Sequence, residues 1–109
     1  MNMQFEKTAG LIPAVVQDAN TREVLMVAYM NPAALAQTQA SGYVTFYSRS
    51  RQQLWTKGET SGNRLRLVRL WTDCDADAVL AEVEMEGDEV ACHTGARSCF
   101  FQALEQEAR

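Results

Sequence analysis

Two cysteines and the only histidine of the chain lie close together near its C-terminal end. Cys92 is followed directly by His93, and six residues separate Cys92 from Cys99. Thiolates and imidazole are good zinc ligands. This spacing is not that of a zinc ribbon, and two buried structural thiols are the ordinary alternative. With Cys74 as a third thiolate, the fourth position of a zinc ion would be left for water, as in catalytic zinc sites.

The histidine has two possible roles at such a site. His93 could be a fourth ligand, which would close the site, or a general acid/base beside it. A lone histidine is more often structural than catalytic. Its place next to a candidate ligand, in a loop that contains Gly95, favours a role at the site.

Three aspartates alternate along the chain at Asp73, Asp75 and Asp77. On an extended chain, residues two apart point to one face, so these carboxylates would repel each other without a cation. Oxygen ligands of this kind suit magnesium or calcium. An EF-hand is not expected, because its sixth position needs glycine and is Ala78 here. An acidic loop without an ion is the alternative, and the alternation favours a metal.

A basic stretch precedes the aspartates. It has six basic residues and one acidic residue between positions 49 and 69, whereas positions 73–89 have eight acidic residues and no basic one. Guanidinium groups, hydroxyls and flexible backbone amides together suit phosphate. A solvated strand and an ordinary loop are the alternative. The candidate phosphate ligands are Arg49, Arg51, Lys57, Thr60 and Ser61.

Length and composition limit the class of protein. The 109 residues predict a single domain spanning 1–109, and 47% hydrophobic residues are ordinary for a globular protein. A net charge of −4 argues against a general nucleic-acid binder. We find no secretory signal and no apolar run long enough to span a membrane, and we expect a cytoplasmic protein.

The elements that must position these residues are mostly strands. Apolar and alternating runs predict strands at 11–17, 23–30, 43–48, 53–57, 65–71, 79–86 and 98–104. The first two form a plausible hairpin. One helix is expected over 33–40, with Asn31 as N-cap, Pro32 in the first position and Gly42 as the stop. The predicted fold is α+β, mostly β, with one main helix.

Several segments together resemble the phosphoribosyl-AMP cyclohydrolase family. They read SRSRQQLWTKGETSGN at 48–63, DCDADA at 73–78 and CHTGARSCF at 92–100, with AYMN at 28–31. The resemblance runs from about residue 11 to residue 104. One departure is Asn63, where the family often has histidine, so we expect no essential imidazole there. We also expect no fused pyrophosphohydrolase domain, because the chain ends at Arg109.

The resemblance implies an enzyme of histidine biosynthesis. Water would add to carbon 6 of the adenine ring of phosphoribosyl-AMP, and the bond from carbon 6 to ring nitrogen 1 would break. It also implies zinc bound by Cys92 and Cys99 of one subunit and Cys74 of the other, and magnesium bound by the three aspartates. The fold implied is an intertwined homodimer of small folded β-sheets.

A working mechanism follows from these implied roles. Zinc would hold and deprotonate the water, and His93 would carry the proton to the developing amine. Magnesium and the basic residues, with Arg97 added, would offset the charge of the two phosphates. Two other classes remain open: a non-catalytic zinc- or magnesium-binding module, and a β-domain that binds nucleic acid through residues 49–69.

Overall fold

A four-stranded sheet and a separate hairpin make up most of the computed structural model, which describes residues 2–105. A short 3-10 helix, Phe5–Thr8, comes first. The other elements, in chain order, are β1 (Ile12–Asp18), β2 (Val24–Met30), α1 (Pro32–Ser41), β3 (Thr45–Ser48), β4 (Gln53–Thr56), β5 (Leu65–Thr72) and β6 (Val79–Met85). The predicted α+β class, mostly β with one helix, is confirmed.

The main sheet is mixed and has the order β2-β1-β6-β5. β1 and β2 form the expected antiparallel hairpin, β5 and β6 are antiparallel, and β6 runs parallel to β1. β3 and β4 pair with each other in a second antiparallel hairpin. This hairpin contacts α1 and β2, so the basic stretch lies next to the main sheet.

The core lies between one face of the main sheet, α1 and the small hairpin. Alternation puts Ile12, Ala14 and Val16 of β1 on the buried face. β6 contributes Val79, Ala81 and Val83, as its alternating pattern predicts. The largest fully buried side chain is Phe46, which packs at 5.1 Å from the ring of Trp55.

The helix begins and ends where its caps predict. The side chain of Asn31 accepts a hydrogen bond from the Ala34 N–H at 2.8 Å, and Pro32 occupies the first turn. Gly42 adopts a left-handed conformation, φ 80°, and its N–H donates to the Thr38 carbonyl. The side-chain cap and the glycine stop together fix both ends.

One expectation for the strands is wrong. Residues 98–104 form no strand: Phe100 is 62% exposed and Leu104 is 90% exposed, so this segment has no sheet to bury its apolar side chains against. In β6, Glu82 is also buried, and its carboxylate accepts a hydrogen bond from the Trp71 indole of β5.

The other face of the main sheet carries a row of apolar side chains. Val15 of β1 pairs with Val27 of β2 on one side and with Leu80 of β6 on the other, and Leu80 pairs with Trp71 of β5. Val27 is 48% exposed and Trp71 is 47% exposed. Four apolar residues thus cross the sheet on the face opposite the core. Within residues 2–105, no helix has the length and hydropathy needed to span a bilayer.

Candidate functional site

The loop that carries Cys92 and Cys99 is folded tightly on itself. In this segment, called the cysteine loop (residues 91–99), the Ala91 N–H donates to the Arg97 carbonyl at 3.0 Å and the Cys92 N–H to the Ala96 carbonyl at 3.1 Å. Gly95, at φ 91°, closes the turn with its N–H on the Cys92 carbonyl. The two thiols lie near enough for each to shift the pKa of the other.

The end of the cysteine loop is docked onto β2. The Ser98 hydroxyl donates to the Val24 carbonyl at 2.8 Å, and the Cys99 N–H donates to the Leu25 carbonyl at 2.7 Å. Both acceptors belong to β2, an edge strand of the main sheet. The position of Cys99 is therefore set by the backbone of the sheet.

The two thiols differ in their acidity. Hydrogen bonds from Thr94, whose hydroxyl lies 3.0 Å from the sulfur, lower the pKa of Cys92, and the nearby Lys57 charge acts the same way. Burial raises the pKa of Cys99, and the neighbouring Cys92 thiol raises it further. One thiol is thus favoured as thiolate, as a metal ligand must be. Sequence reasoning did not identify Thr94. Its only signal in the sequence is that its hydroxyl comes two residues after the Cys92 thiol.

A cavity of about 440 Å³ brings the cysteine loop and the basic stretch together. Cys92 and His93 line it from one side. Lys57 and Ser61 line it from the other, within a loop of residues 57–63, called here the basic loop. Asn63 also faces the cavity, and its side chain accepts the Asp88 N–H at 2.8 Å. Asn63 thus has a structural role at the position where the family often has histidine.

Two further cavities share lining residues with this one or with each other. A cavity of about 240 Å³ shares Ser61 with it and is lined also by Arg51 and Thr60. A cavity of about 610 Å³ shares Trp55 with the second and contains Arg49. Five of the six predicted substrate-binding residues therefore line these three neighbouring cavities, together called the groove, the exception being Arg97.

Aromatic rings line the far end of this groove, and sequence reasoning did not assign them. Tyr29, Tyr47 and Trp55 border the largest of the three cavities. The Arg49 guanidinium lies 4.6 Å from the centre of the Tyr29 ring, and the Lys57 ammonium 5.8 Å from that of Trp55. The positions of these three aromatic residues in β2, β3 and β4 gave no signal of a site, because aromatic residues are common in any strand.

The three aspartates come together as predicted, but in a turn and not on an extended chain. One carboxylate oxygen from each of Asp73, Asp75 and Asp77 lies within 4.8 Å of the others. Asp73 shapes the turn, since its Oδ1 accepts the N–H groups of Asp77 and Ala78 at 3.0 and 3.2 Å. Three hard oxygen donors at this separation fit a magnesium ion after small movements.

A lysine shares this acidic cluster. The Lys7 ammonium, on the 3-10 helix, lies 3.2 Å from Asp75 and 3.2 Å from Asp77. Hydrogen bonds to Asp77 and Asp75 raise the pKa of Lys7, and the hydrogen bond from Lys7 lowers the pKa of Asp75. The hydrogen bond from Lys7 acts to lower the pKa of Asp77 as well, but desolvation and the neighbouring carboxylates of Asp73 and Asp75 together raise it. A cation bound to all three carboxylates would displace Lys7.

The third cysteine is not part of the Cys92–Cys99 pair within one chain. Cys74 is exposed in the turn after β5, and among residues 2–105 no group of three ligands includes the three thiols. The donor chemistry of Cys92 and Cys99 fits zinc, but one chain supplies only two of the three thiolates at one place.

Arg97 lies apart from the groove and makes several ion pairs. Its Nη2 donates to Asp18 at 2.6 Å and its Nε to Glu23 at 2.8 Å, while its Nη1 is 3.7 Å from Glu89. These charges raise the pKa of Arg97. The predicted contact of Arg97 with a phosphate stays a prediction.

Comparisons with known proteins identify the family of the chain. Residues 26–101 match the family model described as phosphoribosyl-AMP cyclohydrolase. The chain is 51% identical over 105 residues to the phosphoribosyl-AMP cyclohydrolase of Desulfatibacillum aliphaticivorans, covering 96% of this chain and 83% of that protein. It is 57% identical over 97 residues to that of Cereibacter sphaeroides strain ATCC 17029, covering 89% and 80%. The histidine biosynthesis bifunctional protein HisIE of Xanthomonas campestris is 53% identical over 104 residues, which are 95% of this chain and 50% of that protein. The chain belongs to the phosphoribosyl-AMP cyclohydrolase family.

Proposed function

We propose that this protein is a phosphoribosyl-AMP cyclohydrolase of histidine biosynthesis, a hydrolase that opens the adenine ring between carbon 6 and nitrogen 1. The observation that carries the proposal is the cavity between the cysteine loop and the basic loop. It puts the Cys92 thiol and the His93 imidazole opposite Lys57, at one end of a groove lined with arginines and aromatic rings.

The groove suits a nucleotide with two phosphates and a flat base. Lys57, Arg49 and Arg51 supply positive charge along its length. The hydroxyls of Thr60 and Ser61 add donors between them. Tyr29 and Trp55 offer ring faces on which a base can stack.

The roles of the metals in this proposal follow from the donor sets. Cys92 and Cys99 would hold zinc with Cys74 of a second subunit, and a bound zinc would supply a Lewis acid that lowers the pKa of water. His93 is exposed at the cavity, where its imidazole can accept and return a proton during ring opening. Asp73, Asp75 and Asp77 would hold magnesium, which would offset phosphate charge.

A homodimer is part of the proposal. The apolar row of Val27, Val15, Leu80 and Trp71 is the kind of exposed patch that a second subunit covers. Cys74 follows Trp71 by three residues and so lies at the border of this face. A partner packed there would approach the Cys74 turn, which a site shared between subunits requires.

The competing function is a non-catalytic metal-binding module. In such a module the cysteines would form a closed structural site, and chelation would unfold the protein. The cavity at Cys92 is also lined by His93, Lys57 and Ser61. This polar lining favours the enzyme, since a closed structural site does not need a polar cavity beside it.

The test is an ultraviolet assay of the purified protein with phosphoribosyl-AMP, with and without a zinc chelator, alongside circular dichroism. Ring opening removes the purine chromophore, so the spectrum reports the reaction directly. We expect turnover that the chelator abolishes and zinc restores, with the fold retained. If folded, zinc-loaded protein gave no spectral change, phosphoribosyl-AMP would not be its substrate. Unfolding on chelation would favour the structural module.

A further inference from the structure

We infer that Asp18 is a positioning residue for this site: through Arg97 it holds the cysteine loop in the position that the thiols need. Asp18 is the last residue of β1 and lines none of the three cavities of the groove. The inference concerns the same site and rests on the proposed function for its kinetic part.

The two oxygens of Asp18 have different partners. Oδ1 accepts the N–H groups of Asn20 and Thr21, at 2.8 and 2.9 Å, and so closes the turn between β1 and β2. Oδ2 accepts Nη2 of Arg97 at 2.6 Å. Closing the turn needs only one oxygen, so the second is available to tie the cysteine loop to the sheet.

Burial makes this ion pair different from the others of Arg97. The Asp18 side chain is 6% exposed, whereas the Glu23 side chain is 40% exposed and that of Glu89 is 62% exposed. Exposed pairs contribute little because water and salt screen them, but removing one partner of a buried pair leaves a buried charge without compensation. Asp18 is therefore the dominant anchor among the three.

The anchor acts on the part of the loop that sets the thiols. Arg97 lies two residues before Cys99, and its carbonyl accepts the N–H of Ala91, next to Cys92. A shift of Arg97 would move both ends of the loop at once. The docking of Ser98 and Cys99 onto β2 starts at the residue after Arg97, so the two attachments hold adjacent parts of the loop.

This role differs from a phosphate contact. The Nε and Nη2 groups of Arg97 already donate to carboxylates, and Nη1 faces Glu89. Three negative charges around one guanidinium repel an approaching phosphate. Arg97 also lines none of the three cavities of the groove.

The experiment compares three variants of the full-length protein with the wild type. Asp18→Asn keeps the shape of the side chain and removes its charge, and Arg97→Met keeps the aliphatic stem. Arg66→Met also keeps the aliphatic stem, breaks the ion pair between Arg66 and Glu84 on the same sheet, and is the matched control. N-ethylmaleimide labelling in the presence of a chelator is followed at each cysteine by mass spectrometry, with exposed Cys74 as internal reference.

We expect Asp18→Asn and Arg97→Met each to speed labelling of Cys92 by roughly ten- to hundredfold, since each removes a charged hydrogen bond. The double variant should be no faster than the faster single variant, because both act through one contact. In the ultraviolet assay, kcat should fall with little change in KM. Arg66→Met should alter neither the labelling rate nor the kinetics.

Unchanged Cys92 labelling in both folded single variants would overturn the inference. A phosphate contact by Arg97 would instead raise KM in Arg97→Met with no change in labelling. Additive effects in the double variant would also contradict a shared anchor. If the wild type has no turnover, the proposed function fails, whereas the labelling result still decides the role of Asp18.

Discussion

Cys92 and His93 are neighbours in sequence, but they differ in their surroundings. Cys92 is 8% exposed and its thiol receives a hydrogen bond from Thr94, while His93 is exposed at the mouth of the cavity. A buried, polarised thiol suits a ligand that stays in place. An exposed imidazole beside it suits a group that exchanges protons with substrate and water.

Replacement of the ligand is the first prediction. Cys92→Ser should abolish zinc binding and turnover, because a hydroxyl is a far weaker zinc ligand than a thiolate. Bound zinc is measured by metal analysis of the purified variant, and turnover by the ultraviolet assay. A variant that retained full activity would remove Cys92 from the site.

Replacement of the histidine should give a different result. His93→Ala should leave zinc bound and slow the reaction by about a hundredfold or more, the usual contribution of a general acid/base. Zinc content and kcat are measured on the same preparation. Loss of zinc in this variant would mean that His93 is a ligand.

The buried carboxyl of Asp18 gives a pH prediction. Burial acts to raise its pKa, but the N–H groups of Thr21 and Asn20 and the Arg97 charge together hold it below the usual 3.8. Because the folded-state pKa is lowered, the stability it contributes is full above the unfolded pKa and is lost as pH falls through the folded one. Denaturant unfolding should show Asp18→Asn about 2 kcal/mol less stable than wild type at pH 7. This difference should shrink below about pH 4. If the difference in unfolding free energy between Asp18→Asn and wild type did not change with pH, the lost stability would come from packing and not from the charge.

Residue types alone predicted much of the candidate site but not all of it. Thiols, a histidine and alternating carboxylates have few uses together, so Cys92, His93 and Asp73 were recognisable without coordinates. Arg97 was not, because a guanidinium binds phosphate and carboxylate equally well. Only the fold shows that Asp18, 79 positions away, is its partner.

At the scale of elements, the basic loop depends on one glycine. Gly58 has φ 79°, and a Cβ added there would lie 2.2 Å from the Asn63 carbonyl oxygen. The backbone of residues 58 and 63 is thus in direct contact. This contact sets the width of the loop that presents Lys57 and Ser61 to the cavity.

Two alanine substitutions separate this contact from backbone strain. Gly58→Ala and Gly62→Ala both force a residue with a side chain into positive φ, at 79° and 84°, but only Gly58 has a close neighbour. Gly62→Ala should cost about 1 kcal/mol in unfolding free energy, and Gly58→Ala about 2 kcal/mol more. Gly58→Ala should also raise KM. Unfolding free energy is measured by denaturant unfolding. Equal losses in the two variants would show that the backbone at residue 63 moves to accept the new methyl group at little cost.

The elements differ in how well their sequence signals predicted them. The helix had a cap at each end, Asn31 and Gly42, and both work locally, so its bounds were predictable. The segment 98–104 has strand-like composition, but a strand also needs a partner, and composition does not say whether one is free. The parallel pairing of β1 with β6 joins segments more than 60 residues apart, for which alternation gives no register.

At the scale of the whole molecule, two features remain incomplete in one chain. An apolar row from Val27 to Trp71 is exposed on the sheet, and Cys74 lies apart from the Cys92–Cys99 pair. Sequence could not separate a site within one chain from a site between two, since both use the same three residues. The folded chain is needed to tell them apart, because it shows that Cys74 lies away from Cys92 and Cys99.

Subunit complementation tests the shared site directly. Heterodimers of Cys74→Ser with Cys92→Ser, isolated with two different tags, would contain one site with both defects and one intact site. They should therefore recover about half of the zinc and turnover of a wild-type dimer. Each variant alone should be inactive, because both of its sites lack a ligand.

The control is the heterodimer of Cys92→Ser with Cys99→Ser. If Cys92 and Cys99 of one chain serve the same site, each site of this heterodimer lacks one thiolate, and no activity should return. A site built within a single chain predicts no recovery in either pairing, because every chain then has its own defect. Recovery in the first pairing alone thus requires that Cys74 complete the site of the opposite subunit, which would make dimerisation a condition of catalysis.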